Sequence, residues 1–232
     1  MSAQKILVVV TNTGKYPTLP KATGLWLSEA VHFVDKVTKA GYKIDYVSPL
    51  GGYTPIDPNS LAGADEISFK YYQDRDFVDK LGTTLKPSEI NPEDYFAIYF
   101  TGGHGVVFDF PNSKGLQEIS SKIYDKGGYV TAVCHGSVGL ANIKLPSGEY
   151  LVKGKKVTGF SNSEEQEVKL QDAIPTSTED ALKESGGLYS KANVNWESFA
   201  VADGRLISGE NPASAGEVAD KFLASLKLNK TK

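Results

Sequence analysis

Cysteine occurs once in this chain, at Cys134, and it is followed at once by His135, one of only three histidines. A single cysteine forms no internal disulfide, so Cys134 is either an inert buried thiol or a reactive one. It closes the apolar run GYVTAVC (128–134), with Ala132 two residues before it and Gly136 two after. Small residues at those positions are what a tight strand-to-helix turn needs if it is to display a nucleophile without backbone clash. A helix beginning near Gly136 would aim its amides and positive dipole end at the sulfur and favour thiolate. The competing reading is a small hydrophobe inside an apolar strand.

Three further groups could serve such a thiol. The stretch YFTGGHG (99–105) ends a strand in Gly102 and Gly103, whose amides are unobstructed by side chains. The N–H groups of Gly103 and His135 could receive a developing oxyanion above Cys134, with His104 packed beside the pocket. Glu29 lies in ATGLWLSEAVHF, where Leu25, Trp26 and Phe33 fall within about 60° of it on a helical wheel. A carboxyl set in an apolar stripe has its pKa raised and can exchange protons near neutrality; a snorkelling surface glutamate is the alternative. Asp35 and Lys36 on the same helix read as solvated face. Finally, SNSEEQE supplies Glu164, Glu165 and Glu167 after a strand end, of which one could orient the His135 ring while the others form an acidic turn.

The elements that must position these groups alternate between short β-branched or aromatic runs and longer amphipathic stretches, the pattern of a parallel sheet covered by helices. Strands are expected at 5–11, 42–48, 95–101, 128–134 and 155–160. Helices are expected at 24–39, 113–126, 136–142, 178–185 and 214–227, the last capped by Ser214. Residues 49–94, rich in turn formers and tyrosine, read as an insertion within a single domain of 232 residues. The basic end KLNKTK (227–232) reads as frayed.

A net charge of -3 and a hydrophobic content of 40% describe an ordinary globular chain and favour neither nucleic acid nor an anionic membrane as partner. The apolar run near the N-terminus is too short for a signal-peptide core or a membrane span, so a cytoplasmic protein is expected. No spacing such as H-x-x-x-H suggests a metal. A glutamine amidotransferase would need a histidine downstream of the cysteine region, and His32, His104 and His135 leave none.

TGLWLSEAVHF, GGHG, AVCHG, GKKVTGF and DGRLISGENPASA, in this order and spread nearly end to end, resemble the ThiJ/PfpI superfamily, in its branch of heat-shock chaperones and glutathione-independent glyoxalases. The resemblance implies a flavodoxin-like three-layer α/β sandwich with a mostly parallel sheet, and a homodimer. By motif position it implies Cys134 as nucleophile, His135 and Glu165 as its partners, Glu29 as proton carrier, and Gly103 as amide donor. The implied activity is conversion of methylglyoxal or a similar 2-oxoaldehyde to a 2-hydroxy acid, with no cofactor, glutathione or metal. Thr101 and Ser137 stand where many relatives carry proline, which bears on substrate preference. A stress chaperone, a redox sensor, a deglycase or a peptidase would use the same cysteine or the exposed aromatics Tyr53, Phe69, Tyr71, Tyr72 and Phe77.

Overall fold

The computed structural model describes residues 5–230. In chain order it contains β1 (Lys5–Val9), α1 (Leu27–Lys39), β2 (Lys43–Val47), α2 (Pro58–Ala62), α3 (Glu66–Gln73), α4 (Arg75–Gly82), β3 (Tyr95–Phe100), α5 (Val106–Asp109) and α6 (Lys114–Asp125). There follow β4 (Tyr129–Val133), β5 (Lys156–Val157), α7 (Asn162–Val168), α8 (Thr178–Glu184), β6 (Leu188–Tyr189), β7 (Ala200–Asp203), β8 (Leu206–Gly209) and α9 (Ala215–Lys230).

The main sheet has the order β2-β1-β3-β4-β8-β7, parallel throughout except for the antiparallel β7–β8 pair. Because side chains alternate across a strand, β1 sends Ile6 and Val8 to one face and Leu7 and Val9 to the other. On the first face they pack with Val31, Phe33 and Val37 of α1 and Val218 and Phe222 of α9. The second face is covered by Leu116, Ile119 and Ile123 of α6. Three layers result, and both sheet faces are buried, which is why the central strands are almost continuously apolar.

Three of the expectations fail. The run 155–160 supplies no strand to the main sheet: only Lys156–Val157 is extended, and it pairs with β6 in a separate two-stranded sheet. The place beside β4 is filled by β8, from an unforeseen hairpin turning at Gly204–Arg205, where Gly204 takes φ +60°. Residues 136–142 form no α-helix; Cys134–Leu140 is a 3-10 stretch. Nor does Ser214 cap the last helix, since the Asn211 side chain accepts from Ala213 N–H and Ser214 lies inside the following turn.

Other boundaries shift less. α1 begins at Leu27 because Gly24 (φ +154°) and the Leu25 N–H bond to Pro55 O hold the preceding chain extended. Asp35 is buried, held by Lys39 Nζ at 2.6 Å, and is not solvated. The end expected to fray is helical through Lys230, and Thr231 and Lys232 lie outside the described residues. Residues 49–94 carry α2, α3 and α4; there Phe77 is buried, with Tyr71 packed on it at 5.3 Å, which leaves Tyr53, Phe69 and Tyr72 as the exposed aromatics of that stretch. Among the described residues no helix is long and apolar enough to cross a membrane.

Candidate active site

Cys134 is the first residue after β4, at the carboxyl edge of the sheet where ligands of open α/β folds bind. Its φ is +56°, a left-handed conformation that costs a residue with a Cβ roughly 1–2 kcal/mol. The chain can turn there because Gly136 follows: a Cβ on Gly136 would lie 2.2 Å from Thr101 O and 2.7 Å from Phe100 O. The tight turn read from Ala132 and Gly136 is therefore present, without the α-helix behind it.

The neighbouring strand ends in the double glycine. A Cβ on Gly102 would meet a Glu29 carboxyl oxygen at 2.2 Å and the Cys134 Cβ at 2.9 Å. One on Gly103, where φ is +98°, would meet Gly24 O at 2.2 Å. These glycines let the start of α1 close onto the strand end, where Trp26 N–H donates to Gly102 O at 3.1 Å. Further along α1, Tyr99 O–H donates to Glu29 O at 2.7 Å and Phe33 stacks on Tyr99 at 3.8 Å. Glu29 is thereby carried over the strand ends to Cys134 and is fully buried, which settles it as no surface glutamate.

Neither Glu29 oxygen has a hydrogen-bond partner of normal geometry. Burial pushes its pKa up to about 8, only partly offset by the Cys134 thiol and the Gly102 N–H. Cys134 is also pushed well above its ordinary value, first by burial and then by the Glu29 carboxyl, while the His135 N–H acts in the opposite direction. The expectation that a helix dipole would favour thiolate is overturned: no α-helix starts here, and the desolvated sulfur beside a carboxyl keeps its proton at neutral pH.

On the opposite side the three acids of α7 divide sharply. Glu165 Oε2 lies 2.6 Å from His135 Nε2, and its Oε1 lies 2.7 Å from His104 Nε2. Although burial alone would raise it, the two imidazoles hold Glu165 far below the ordinary carboxylate range. Glu164 accepts from Ser161 Oγ, Asn211 Nδ2 and Trp196 N–H, and Glu167 from Asn195 Nδ2 and the Trp196 indole. Only Glu165 reaches His135. The His135 Nδ1 stands 3.4 Å from Cys134 Sγ, and burial followed by repulsion from His104 lowers its pKa to about 4. With Glu165 ionised and His135 neutral, Nε2 carries the ring proton toward the carboxylate and Nδ1 is free to take one from sulfur.

His104, Cys134, His135, Glu29, Glu165 and Gly103 are all brought to this one sheet edge. His104 is more than a neighbour of the pocket, because it shares Glu165 with His135 at a ring separation of 4.0 Å. His104, His135 and Glu165 also form a group that could hold a metal ion, with ligand atoms within 4.8 Å of one another. That grouping was invisible to sequence spacing because its members are dispersed over 61 residues. Tyr16, Phe160 and Trp196 were missed as well. Tyr16 packs 5.9 Å from His104, and Phe160 stacks on His135 at 4.1 Å with Trp196 against it. A cleft of about 800 Å³ lined by Pro49, Phe108, Lys114 and Lys122 contains none of these residues, whereas Glu165 lines a smaller one of about 380 Å³ with Asn162, Ile174 and Ser177.

The profile of the DJ-1/PfpI family matches residues 21–225. A glutathione-independent glyoxalase of Saccharomyces cerevisiae is 36% identical, the alignment covering 98% of this chain and 100% of that one. Among solved structures, glyoxalase III of Candida albicans superposes with a TM-score of 0.88 at 33% identity, over 96% of this chain and 97% of its own. The rapid encystment protein of Francisella tularensis superposes with a TM-score of 0.92 at 38% identity, over 96% and 99%.

Proposed function

The chain belongs to the DJ-1/PfpI family, and on that premise we propose that it is a glutathione-independent glyoxalase converting methylglyoxal or a related 2-oxoaldehyde to the 2-hydroxy acid. One observation carries the reading: a fully buried carboxyl with a pKa near 8 faces the only cysteine, whose sulfur stands 3.4 Å from the free imidazole nitrogen of His135.

The chemistry follows from those protonation states. As Cys134 sulfur attacks the aldehyde carbon, its proton passes to His135 Nδ1, and Glu165 stabilises the imidazolium. The Gly103 and His135 amides receive the oxyanion, which takes the Glu29 proton to give the hemithioacetal. Glu29, now a carboxylate, removes the hydrogen from that carbon while the imidazolium protonates the adjacent oxygen, giving an enediol. Glu29 returns the proton to the second carbon, His135 takes the hydroxyl proton from the first, and a 2-hydroxy thioester results. Water then gives a proton to the Glu29 carboxylate as it attacks the thioester carbonyl, and the His135 imidazolium protonates the departing Cys134 sulfur, which releases the hydroxy acid and restores the thiol, the neutral imidazole and the protonated Glu29.

No redox change occurs at the enzyme, and the net co-reactant is one water. A homodimer working in the cytoplasm belongs to the same reading. Incubation of the purified protein with methylglyoxal, without glutathione or added metal, is expected to yield lactate. A protein that consumes no methylglyoxal, or a Cys134→Ser variant that still forms lactate, refutes it.

A further inference from the structure

Trp196 stands out because its backbone is strained without the indole gaining burial. Its φ is +69°, in the left-handed region that disfavours a bulky residue, yet the residue remains 41% exposed. Such strain persists where the surroundings over-determine it. Here the surroundings are α7: Trp196 N–H donates to Glu164 Oε1 at 2.9 Å and the indole N–H donates to Glu167. The adjacent Asn195 is tied to the same helix through Glu167 Oε1 at 2.6 Å and Ser163 Oγ at 2.7 Å.

Held this way, the indole lies 5.7 Å from the Phe160 ring. Phe160 in turn stacks on the His135 imidazole at 4.1 Å and 29°, and its N–H donates to the Cys134 carbonyl at 3.2 Å. The helix that presents Glu165 to His135 therefore uses its two flanking acids to hold the residue that backs the ring stacked on His135. We propose that Trp196 is a positioning residue: by bracing Phe160 it fixes the His135 ring in the orientation that joins Nε2 to Glu165 and turns Nδ1 to the Cys134 sulfur. The inference deepens the glyoxalase reading and rests on it for its kinetic consequences, while the ring orientation itself is measurable without substrate.

Trp196→Gly removes the indole and accepts the left-handed backbone without strain. Its expected effects are a melting temperature close to wild type and a kcat reduced about 10- to 100-fold at unchanged KM, the scale of a misplaced catalytic group. The His135 Nε2–H proton resonance is expected downfield and protected in wild type, from its 2.6 Å contact with Glu165, and expected to broaden or disappear in Trp196→Gly. Trp196→Phe, which restores a ring against Phe160, recovers most of the kcat and the resonance. Wild-type kcat with an intact resonance in Trp196→Gly overturns the proposal. So does a raised KM at unchanged kcat, because Trp196 would then be a substrate-contacting wall. If Trp196→Gly folds poorly, Glu167→Ala, which frees the indole from an exposed carboxylate, takes its place. A smaller kcat loss with the same spectral change supports the proposal, and wild-type values in both overturn it. A wild-type protein with no 2-oxoaldehyde turnover sinks the glyoxalase reading alone, and the resonance still decides the role of Trp196.

Discussion

The α1 side and the α7 side of Cys134 each deliver one buried glutamate, and the two have opposite electrostatic fates. Glu29 is fully buried with no well-formed partner and has its pKa pushed up to about 8. Glu165 is nearly as buried, at 4% exposure, but meets a ring nitrogen at each oxygen and is held well below the ordinary range. Burial acts in the same direction on both, so the number of donors decides which carboxyl keeps its proton. Two like groups driven apart in this way can divide the labour, one carrying protons and one orienting and stabilising a base.

Substitutions test that division. The largest loss is expected from Cys134→Ser, which removes lactate formation altogether, since both sides act on its sulfur. Glu29→Gln keeps the shape but cannot carry a proton, and kcat is expected to fall about 10²- to 10⁴-fold, the usual worth of a general acid–base. Glu165→Gln leaves the proton carrier in place and loosens only the imidazole, with an expected loss of roughly 10²-fold. If the two glutamate variants are equally impaired with the same pH profile, the division fails. Smaller again is His104→Asn. Burial is the main cause of the low His135 value and His104 the second, so this variant should move the acid limb of kcat/KM upward from about pH 4. In wild type, kcat/KM should rise through that limb as His135 becomes neutral and fall through about 8 as Glu29 loses its proton.

The same contrast has a stability consequence. The folded-state pKa of Glu29 is raised from 4.5 to about 8, so its contribution is intact below about 4.5 and is lost as pH rises through 8. Glu29→Gln does not titrate, and its melting temperature should gain on wild type between those limits and hold the gain above them. At roughly 1.4 kcal/mol per unit the difference is on the order of several kcal/mol. An equal slope of melting temperature against pH in the two proteins would show that Glu29 is not buried unpaired.

Much of this site was legible because its chemistry is local in sequence. Cys134 with Ala132 and Gly136, and the pair Gly102 and Gly103, announce tight turns whose steric demands the fold then meets at 2.2 Å. Glu29 could be placed on the apolar stripe of its helix but not declared buried, because Tyr99, whose hydroxyl donates to the Glu29 carbonyl and whose ring stacks on Phe33, comes from another strand. The choice among Glu164, Glu165 and Glu167 needed three dimensions, since it turns on which face of a seven-residue helix meets His135. What escaped was non-local. The β7–β8 hairpin is short and only its Gly204–Arg205 turn carries a signal, whereas the more strand-like 155–160 is displaced from the sheet by that hairpin. His104 and Trp196 take their roles from carboxylates 61 and 29–32 positions away in the chain.

The opposition of the two carboxyls can be read directly by a carbon NMR titration of the protein labelled at glutamate Cδ. One resonance, absent from Glu29→Gln, is predicted to titrate near pH 8, while another, absent from Glu165→Gln, stays ionised through the acid range in which ordinary carboxylates take up protons. A Glu29 resonance that titrates in the ordinary carboxylate range near 4.5 would contradict the account, because the carboxyl facing Cys134 would then have no proton to give at neutral pH.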